Sequence, residues 1–327
     1  MKINRVLLAS DFRNPWHPAY FMKNAFEKNG LKTEIVDTMT DDNPYDALMN
    51  KLNTFHPDIF FFIKDYRLKP EWIAEIKQKG IITVQWYIDP VIPDWLPPFV
   101  EIVDVFFTMS EGLVDEFKKL NDRVYFLSQG FDPSFYVIKE ITEKDNRLYS
   151  AEVTFVGNLG SKPQYLARRK FLSRVLKEGF QLKWWGPRIP RKFSTLPLLL
   201  GRLGRAYGGK FVWGEEYAKV ARLSKVFLAF DSMPHIRKSM SARMYTAVGC
   251  GAFYMCQHVE GIEDVLEPGK EIVTFKDEDE MIDLIRYYLK HEEERKRIAS
   301  RGKERVLKEH TYEKRIKKLL KVIKDAL

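Results

Sequence analysis

Short β-rich apolar runs alternate with segments of helical apolar spacing along almost all of this 327-residue chain, and that alternation limits the fold more than any other feature. In the first half Arg5–Ala9, Lys32–Asp37, Ile59–Ile63, Ile81–Tyr87, Val105–Thr108 and Val124–Leu127 read as buried strands. Between them Tyr20–Asn29, Tyr45–Thr54, Pro70–Lys79 and Glu111–Leu120 carry apolar residues at helical intervals. Gly30 and Gly80 supply helix stops, and Ser110 an N-cap. Strand–helix alternation of this kind builds a parallel sheet covered on both faces.

The pattern breaks at Gly130-Phe131-Asp132-Pro133, and the polar stretch Lys139–Ser150 has no apolar period. A domain boundary is expected there, dividing the chain into residues 1–138 and 150–327. The alternation restarts with strand Val153–Val156, helix Tyr165–Glu178, strand Gln181–Trp185, helix Glu215–Leu223 and strand Val226–Ala229. Helix Ser241–Val248 and strands Phe253–Cys256 and Ile272–Phe275 follow, then three helices near Glu278–Leu289, Glu292–Glu309 and Tyr312–Ala326. Two doubly wound domains facing across a cleft are the expected architecture, with ligands at the carboxyl ends of the strands.

An apolar content of 45% lets each half bury a core. The two cysteines, Cys250 and Cys256, make no disulfide framework, which favours a reducing, cytoplasmic setting. No apolar run approaches the ~20 residues of a membrane span. The net charge of +9 comes with 30% charged residues of both signs, which reads first as solvated helix faces. No zinc finger or other nucleic-acid module is recognisable, and nucleic acid is not an expected partner.

The second half holds an ordered motif series. Phe155-Val156-Gly157-Asn158 opens it, with Arg168-Arg169 in the following helix; Trp184-Trp185-Gly186-Pro187 and Gly214-Glu215-Glu216-Tyr217 come next. Ser241-Ala242-Arg243-Met244-Tyr245-Thr246-Ala247, Gly249-Cys250-Gly251-Ala252-Phe253, Glu267-Pro268-Gly269 and His310-Thr311-Tyr312 complete it. The series resembles the C-terminal domain of CgeB-like glycosyltransferases over roughly residues 151–327. More weakly, Gln85-Trp86-Tyr87-Ile88-Asp89-Pro90 is similar to that family's Trp-x-x-Asp stretch. The resemblance implies a GT-B fold: two Rossmann-like domains, donor nucleotide on the second, acceptor on the first, and a C-terminal helix crossing back to the first. It also implies a nucleotide-sugar as donor substrate, with no further cofactor and no metal.

Several residues fit a donor site. Gly157 and Asn158 sit between a strand and a helix, where backbone N–H groups approach a diphosphate; a plain turn is the alternative. Arg168 shares a helix face with Leu172 and Val175, so its charge needs an anion to offset desolvation. Arg169 lies at the edge of that face. Arg243, near a helix start, presents a fork suited to a diphosphate, and Lys238 is a candidate for the same pocket. Trp185, Gly186 and Tyr217 are candidates for the base pocket, although a core tryptophan pair is the more frequent arrangement. Thr246 departs from the related families, where a Glu accepts the ribose hydroxyls. The second Glu of many retaining GT-B enzymes is replaced here by Lys238. The anomeric outcome is therefore undetermined, and a non-catalytic binding protein or a nucleotide-sugar epimerase stands as the alternative function.

On the acceptor side Asp89 follows a strand between Trp86 and Trp95, which would desolvate a catalytic base. His17, in the loop after the first strand, is the rival base, and each residue also reads as an ordinary loop residue. His235 and His258 have no partners at metal-ligand spacing. The basic and apolar stretch from Arg188 to Arg205 reads either as a surface loop touching anionic lipid or a polymeric acceptor, or as a buried excursion. The acceptor itself, whether glycan, protein or lipid, is not specified by the sequence.

Overall fold

The computed structural model describes residues 2–160, 163–189 and 195–327. They form two compact units. The first takes Met1–Asp132, His235–Met240 and His310–Leu327; the second takes Pro133–Pro234 and Ser241–Glu309.

The first unit is built on six strands: β1 (Arg5–Ser10), β2 (Lys32–Asp37), β3 (Ile59–Ile63), β4 (Ile82–Tyr87), β5 (Val105–Thr108) and β6 (Val124–Phe126). They pair in parallel in the order β2-β1-β3-β4-β5-β6. Every residue of β3, Ile-Phe-Phe-Phe-Ile, is buried, because helices cover both faces of a parallel sheet. Helices α1 (Pro18–Lys28), α2 (Pro44–Phe55) and α3 (Pro70–Gln78) each carry proline in the first turn, where its missing N–H costs nothing. Two short helices, α4 (Pro97–Ile102) and α5 (Val114–Lys118), complete the layer.

The second unit has strands β7 (Ala151–Val156), β8 (Leu182–Trp185), β9 (Ser224–Ala229), β10 (Tyr254–Gln257) and β11 (Val273–Phe275). These pair in parallel in the order β11-β10-β9-β7-β8. Its helices are α6 (Glu143–Tyr149), α7 (Pro163–Lys177), α8 (Leu196–Leu200), α9 (Arg202–Arg205), α10 (Gly214–Leu223), α11 (Ala242–Gly249), α12 (Glu278–Lys290) and α13 (Glu292–Glu309). Val153, Phe155, Leu172, Val175, Leu228 and Ile285 belong to one buried cluster between sheet and helices. Each such side chain contributes about 1.5–3 kcal/mol of burial.

Helix α6 occupies the stretch in which the sequence shows no period. Its amphipathic signal is weak, but its start is well capped: the Thr142 hydroxyl accepts from the Asp145 amide at 3.2 Å, and Asp145 accepts from the Thr142 amide at 2.9 Å. The Thr142 amide and hydroxyl, which both donate to the Asp145 carboxylate (2.9 and 2.8 Å), together with the Lys219 ammonium at 3.0 Å, hold that carboxyl down at about 2.

The last helix, α14 (Tyr312–Ala326), belongs to the first unit and packs on α1. Tyr312, Ile316, Leu319 and Ile323 form its buried stripe. Phe131 donates its amide to the His310 carbonyl at 2.9 Å, and Tyr312 returns a bond to the Phe131 carbonyl at 3.0 Å. A Cβ on Gly130 would lie 2.9 Å from the Tyr312 nitrogen, so the close approach requires glycine there. Among the described residues, no helix is long and apolar enough to cross a membrane.

Candidate functional site

In a doubly wound sheet the ligand crevice opens where the strand order reverses, at the carboxyl ends of the flanking strands. In the second unit that point lies between β7 and β9. Gly157 follows β7 directly, and Phe230 and Asp231 follow β9. Two of the three guanidinium groups expected at a donor site converge here. Arg168, buried at 7% exposure, donates to the Phe230 carbonyl (3.4 Å), the Ser232 hydroxyl (3.3 Å) and the Asn158 carbonyl (3.4 Å). Arg243 donates to the same Phe230 carbonyl at 3.3 Å and lies over the Phe155 ring. Its Nη2 would sit 3.2 Å from a Cβ placed on Gly157.

No carboxylate lies within 4 Å of either guanidinium among the described residues. Burial, then the neighbouring Arg243 charge, bring the Arg168 pKa down to about 10, with Asp231 opposing at longer range. Asp231 instead accepts the Ser241 amide at 3.0 Å, fixing the entry to α11. Two like charges thus share one carbonyl oxygen and repel each other. An anion between them would relieve that repulsion.

Other residues expected here take different parts. Arg169 spends its fork on the carbonyls of Leu159 (2.8 Å) and Gly160 (2.5 Å), bracing the loop. The Asn158 side chain accepts the Gly160 amide at 2.7 Å and closes the same turn. Thr246 lies one turn beyond Arg243 on α11, 7% exposed.

The expected base pocket is corrected at three residues. Trp184 and Trp185 point to opposite faces of edge strand β8, and both are fully packed. Tyr207 stacks on Trp184 at 4.4 Å, while Tyr149 and the Gly208 backbone cover Trp185, so neither indole offers a free face to a base. Gly186 is small because a Cβ there would lie 2.2 Å from the Gly157 carbonyl oxygen; it serves packing between the β7 and β8 loops, not ligand access. Tyr217 is enclosed between Tyr136 and Phe227, and its hydroxyl is buried.

Lys238 is also corrected. It belongs to the first unit, where its ammonium is held by Glu111 at 3.0 Å, with a backbone φ of +50°. The neighbouring Arg237 pairs with Glu111 at 2.8 Å.

In the first unit the strand order reverses between β1 and β3. Asp11 follows β1, held bidentately by Arg13 (3.0 and 2.8 Å), and Lys64 and Asp65 follow β3. Asp65 is 3% exposed, bonded to the Thr38 hydroxyl and the Arg67 amide, and burial pushes its carboxyl up. Asp89, beyond β4, lacks the enclosure by indoles expected of it: its carboxylate pairs with Lys64 and is 34% exposed, while Trp86 turns into the core and donates to the Leu127 carbonyl at 2.9 Å. His17 is the N-cap of α1, its Nδ1 accepting the Ala19 amide at 3.3 Å. Burial pushes its pKa down, with Asp11 opposing, so the ring is neutral with its proton on Nε2. Lys64, Asp65, Asp231 and Ser232 escaped the sequence reading, although each stands within three residues of a strand's carboxyl end.

Of the Arg188–Arg205 stretch, residues 190–194 lie outside the described residues. In the described part Leu196 and Leu200 are exposed, and Leu203 is buried. Among the described residues no group of three His, Cys, Asp or Glu side chains is placed to hold a metal.

Two parallel doubly wound sheets, with the last helix returned to the first unit, match solved structures along their whole length. Sucrose-phosphate synthase from Thermosynechococcus elongatus superposes with a TM-score of 0.69 at 11% identity, covering 98% of each chain. The fold is GT-B. Anabaena HepE, solved with UDP and glucose, gives 0.68 at 9% identity over 99% of this chain and 100% of that one. The catalytic domain of Arabidopsis thaliana starch synthase IV, bound to ADP and acarbose, gives 0.72 at 11%, covering 100% and 99%. Residues 168–321 of this GT-B chain match the family described as glycosyl transferase-like. No curated protein sequence matches the chain.

Proposed function

We propose that this protein is a metal-independent glycosyltransferase of the CgeB-like kind, acting in the cytoplasm, which moves a sugar from a nucleotide donor to an acceptor hydroxyl. The observation that carries the reading is the pair Arg168 and Arg243, two guanidiniums without a carboxylate at the reversal point of the second sheet. When the bond from the sugar to the diphosphate breaks, negative charge builds on the departing phosphate. Fixed guanidiniums placed there stabilise that charge without reorganising. Arg169 and Asn158 brace the loop beyond Gly157, whose own amide is spent on the Trp185 carbonyl at 2.8 Å, so the guanidiniums rather than that amide would meet the phosphate. The UDP and ADP complexes of HepE and starch synthase IV support a nucleotide donor. The motif order read from the sequence supports the CgeB-like kind.

For the acceptor we propose the carboxyl edge of the first sheet, where Lys64 and Asp89 offer a donor and an acceptor for hydroxyl groups. Asp89 is the proposed base. His17 is the weaker candidate, because its Nδ1 is engaged and its Nε2 carries the proton.

The test is titration of the full chain with UDP- and ADP-sugars while released nucleoside diphosphate is measured. Failure of every nucleotide and nucleotide-sugar to bind would refute the reading. Thr246, uncharged and buried where the related families place a Glu, favours one rival, a binding protein without turnover. Saturable binding with no release across a panel of acceptors would select that rival.

A further inference from the structure

A second concentration of positive charge lies at the opposite end of β9. A cavity of about 640 Å³ is lined there by Arg222 in the last turn of α10, by Lys225, the second residue of β9, and by Arg295, Lys296 and Lys303 of α13. Glu292 is the one carboxylate in the lining, and it is occupied by Lys296 at 2.8 Å. Among the described residues Arg222, Lys225, Arg295 and Lys303 have no carboxylate within 4 Å.

Arg295 is the decisive residue. It is 7% exposed and donates one Nη to the Tyr288 carbonyl, while Glu292, already paired with Lys296, attracts it only at longer range. Its side chain belongs to the cavity's lining. Surface lysines are solvated at little cost, but a buried guanidinium is retained only against a desolvation penalty that an anion would offset. The ends of α10 and α11 point their carbonyl dipoles toward this region, yet a helix end supplies only about half a charge. That leaves most of four positive charges uncompensated.

We propose that this cavity binds a small phosphorylated molecule, at a site separate from the one between β7 and β9. The volume suits a metabolite-sized ligand, since such sites run from about 300 to 1,000 Å³. Two arginine forks and two ammonium groups match a phosphate dianion, which accepts bidentate and point-charge contacts together. The six residues of β9 at about 3.3 Å each hold the two places roughly 20 Å apart, so they take separate ligands. Gly251 forms part of the lip, with φ of +88° and the Arg222 Nη1 only 2.8 Å from where a Cβ would stand.

Calorimetry and thermal shift on the full chain test this, with inorganic phosphate and glycerol 3-phosphate as probes and sodium chloride matching ionic strength. Both probes should bind the wild type and raise its melting temperature above the chloride control. Lys225→Glu, at an exposed position, and Lys303→Glu should each weaken binding about tenfold or more. The part of the binding that these two variants remove should persist in Arg243→Ala. No response in the wild type, a response that survives both Glu variants, or one that Arg243→Ala abolishes would each overturn the proposal. The last result would assign the phosphate to the donor residues, whereas failure of nucleotide binding alone leaves this site standing.

Discussion

Replacing Arg168 by Met should make the unliganded protein more stable and the donor bind worse. The side chain is buried beside Leu172 and Val175, its three hydrogen bonds are 3.3–3.4 Å long, and a like charge sits next to it. A folded-state pKa of about 10, well below that of a free guanidinium, corresponds to about 3 kcal/mol by which the fold disfavours the cation. Losing three long hydrogen bonds returns about 1–2 kcal/mol of that. The unbranched Met stem fills most of the vacated space, so the net gain is about 1–2 kcal/mol, or roughly 2–6 °C in melting temperature. The folded pKa is the lower one, so the destabilisation is fully present below about pH 10 and fades only as the pH rises beyond it toward the free guanidinium's value. The difference between wild type and variant should therefore be equal at about pH 7 and about pH 8.5. Titration with UDP and ADP should show affinity down by about 10²-fold, the loss of a charge-assisted contact. A variant that melts below wild type and still binds nucleotide normally would make Arg168 a structural anchor, and the argument would fail.

Arg243→Ala should cost at least ~10-fold in nucleotide affinity by calorimetry, with little change in the circular dichroism of a chain whose α11 is otherwise intact. Gly186→Ala should lower stability by about 1–3 kcal/mol in urea, because the new methyl meets the Gly157 carbonyl oxygen, and should weaken nucleotide binding with it. Asp89→Asn should slow transfer by ~10²–10⁴ at unchanged donor affinity, whereas His17→Ala should chiefly remove a helix cap worth about 1 kcal/mol; the reverse ranking in initial-rate assays would make His17 the base. Transfer should persist in excess EDTA, since guanidiniums take the charge-neutralising part; loss on chelation with recovery on adding a divalent ion would contradict this.

The strands were the most legible part of the sequence. Runs such as Ile59–Ile63 are apolar on both faces, and only a covered parallel strand needs that. Helices α4 and α6 were not read, being short or polar, although the Thr142 and Asp145 spacing of a capping box was there to see. In the site, the arginines were legible because a cation on an apolar helix face is anomalous. Trp185 and Lys238 were not, because their surroundings come from residues distant in sequence: Gly208 and Tyr149 for one, Glu111 for the other. Strand-end position alone would have found Lys64 and Asp231.

The bonds between Phe131 and the 310–312 segment have a consequence for the order in which the protein is made. The second unit is drawn from residues 133–309, so all of it has been synthesised before α14 emerges. Until then the α1 surface that α14 covers stays bare, and the Ser128 and Gln129 carbonyls lack the Arg315 guanidinium that bonds them at 3.1 Å. Domains commonly fold as units in order of synthesis, from the amino end. Here the half that is translated first is the half that is completed last.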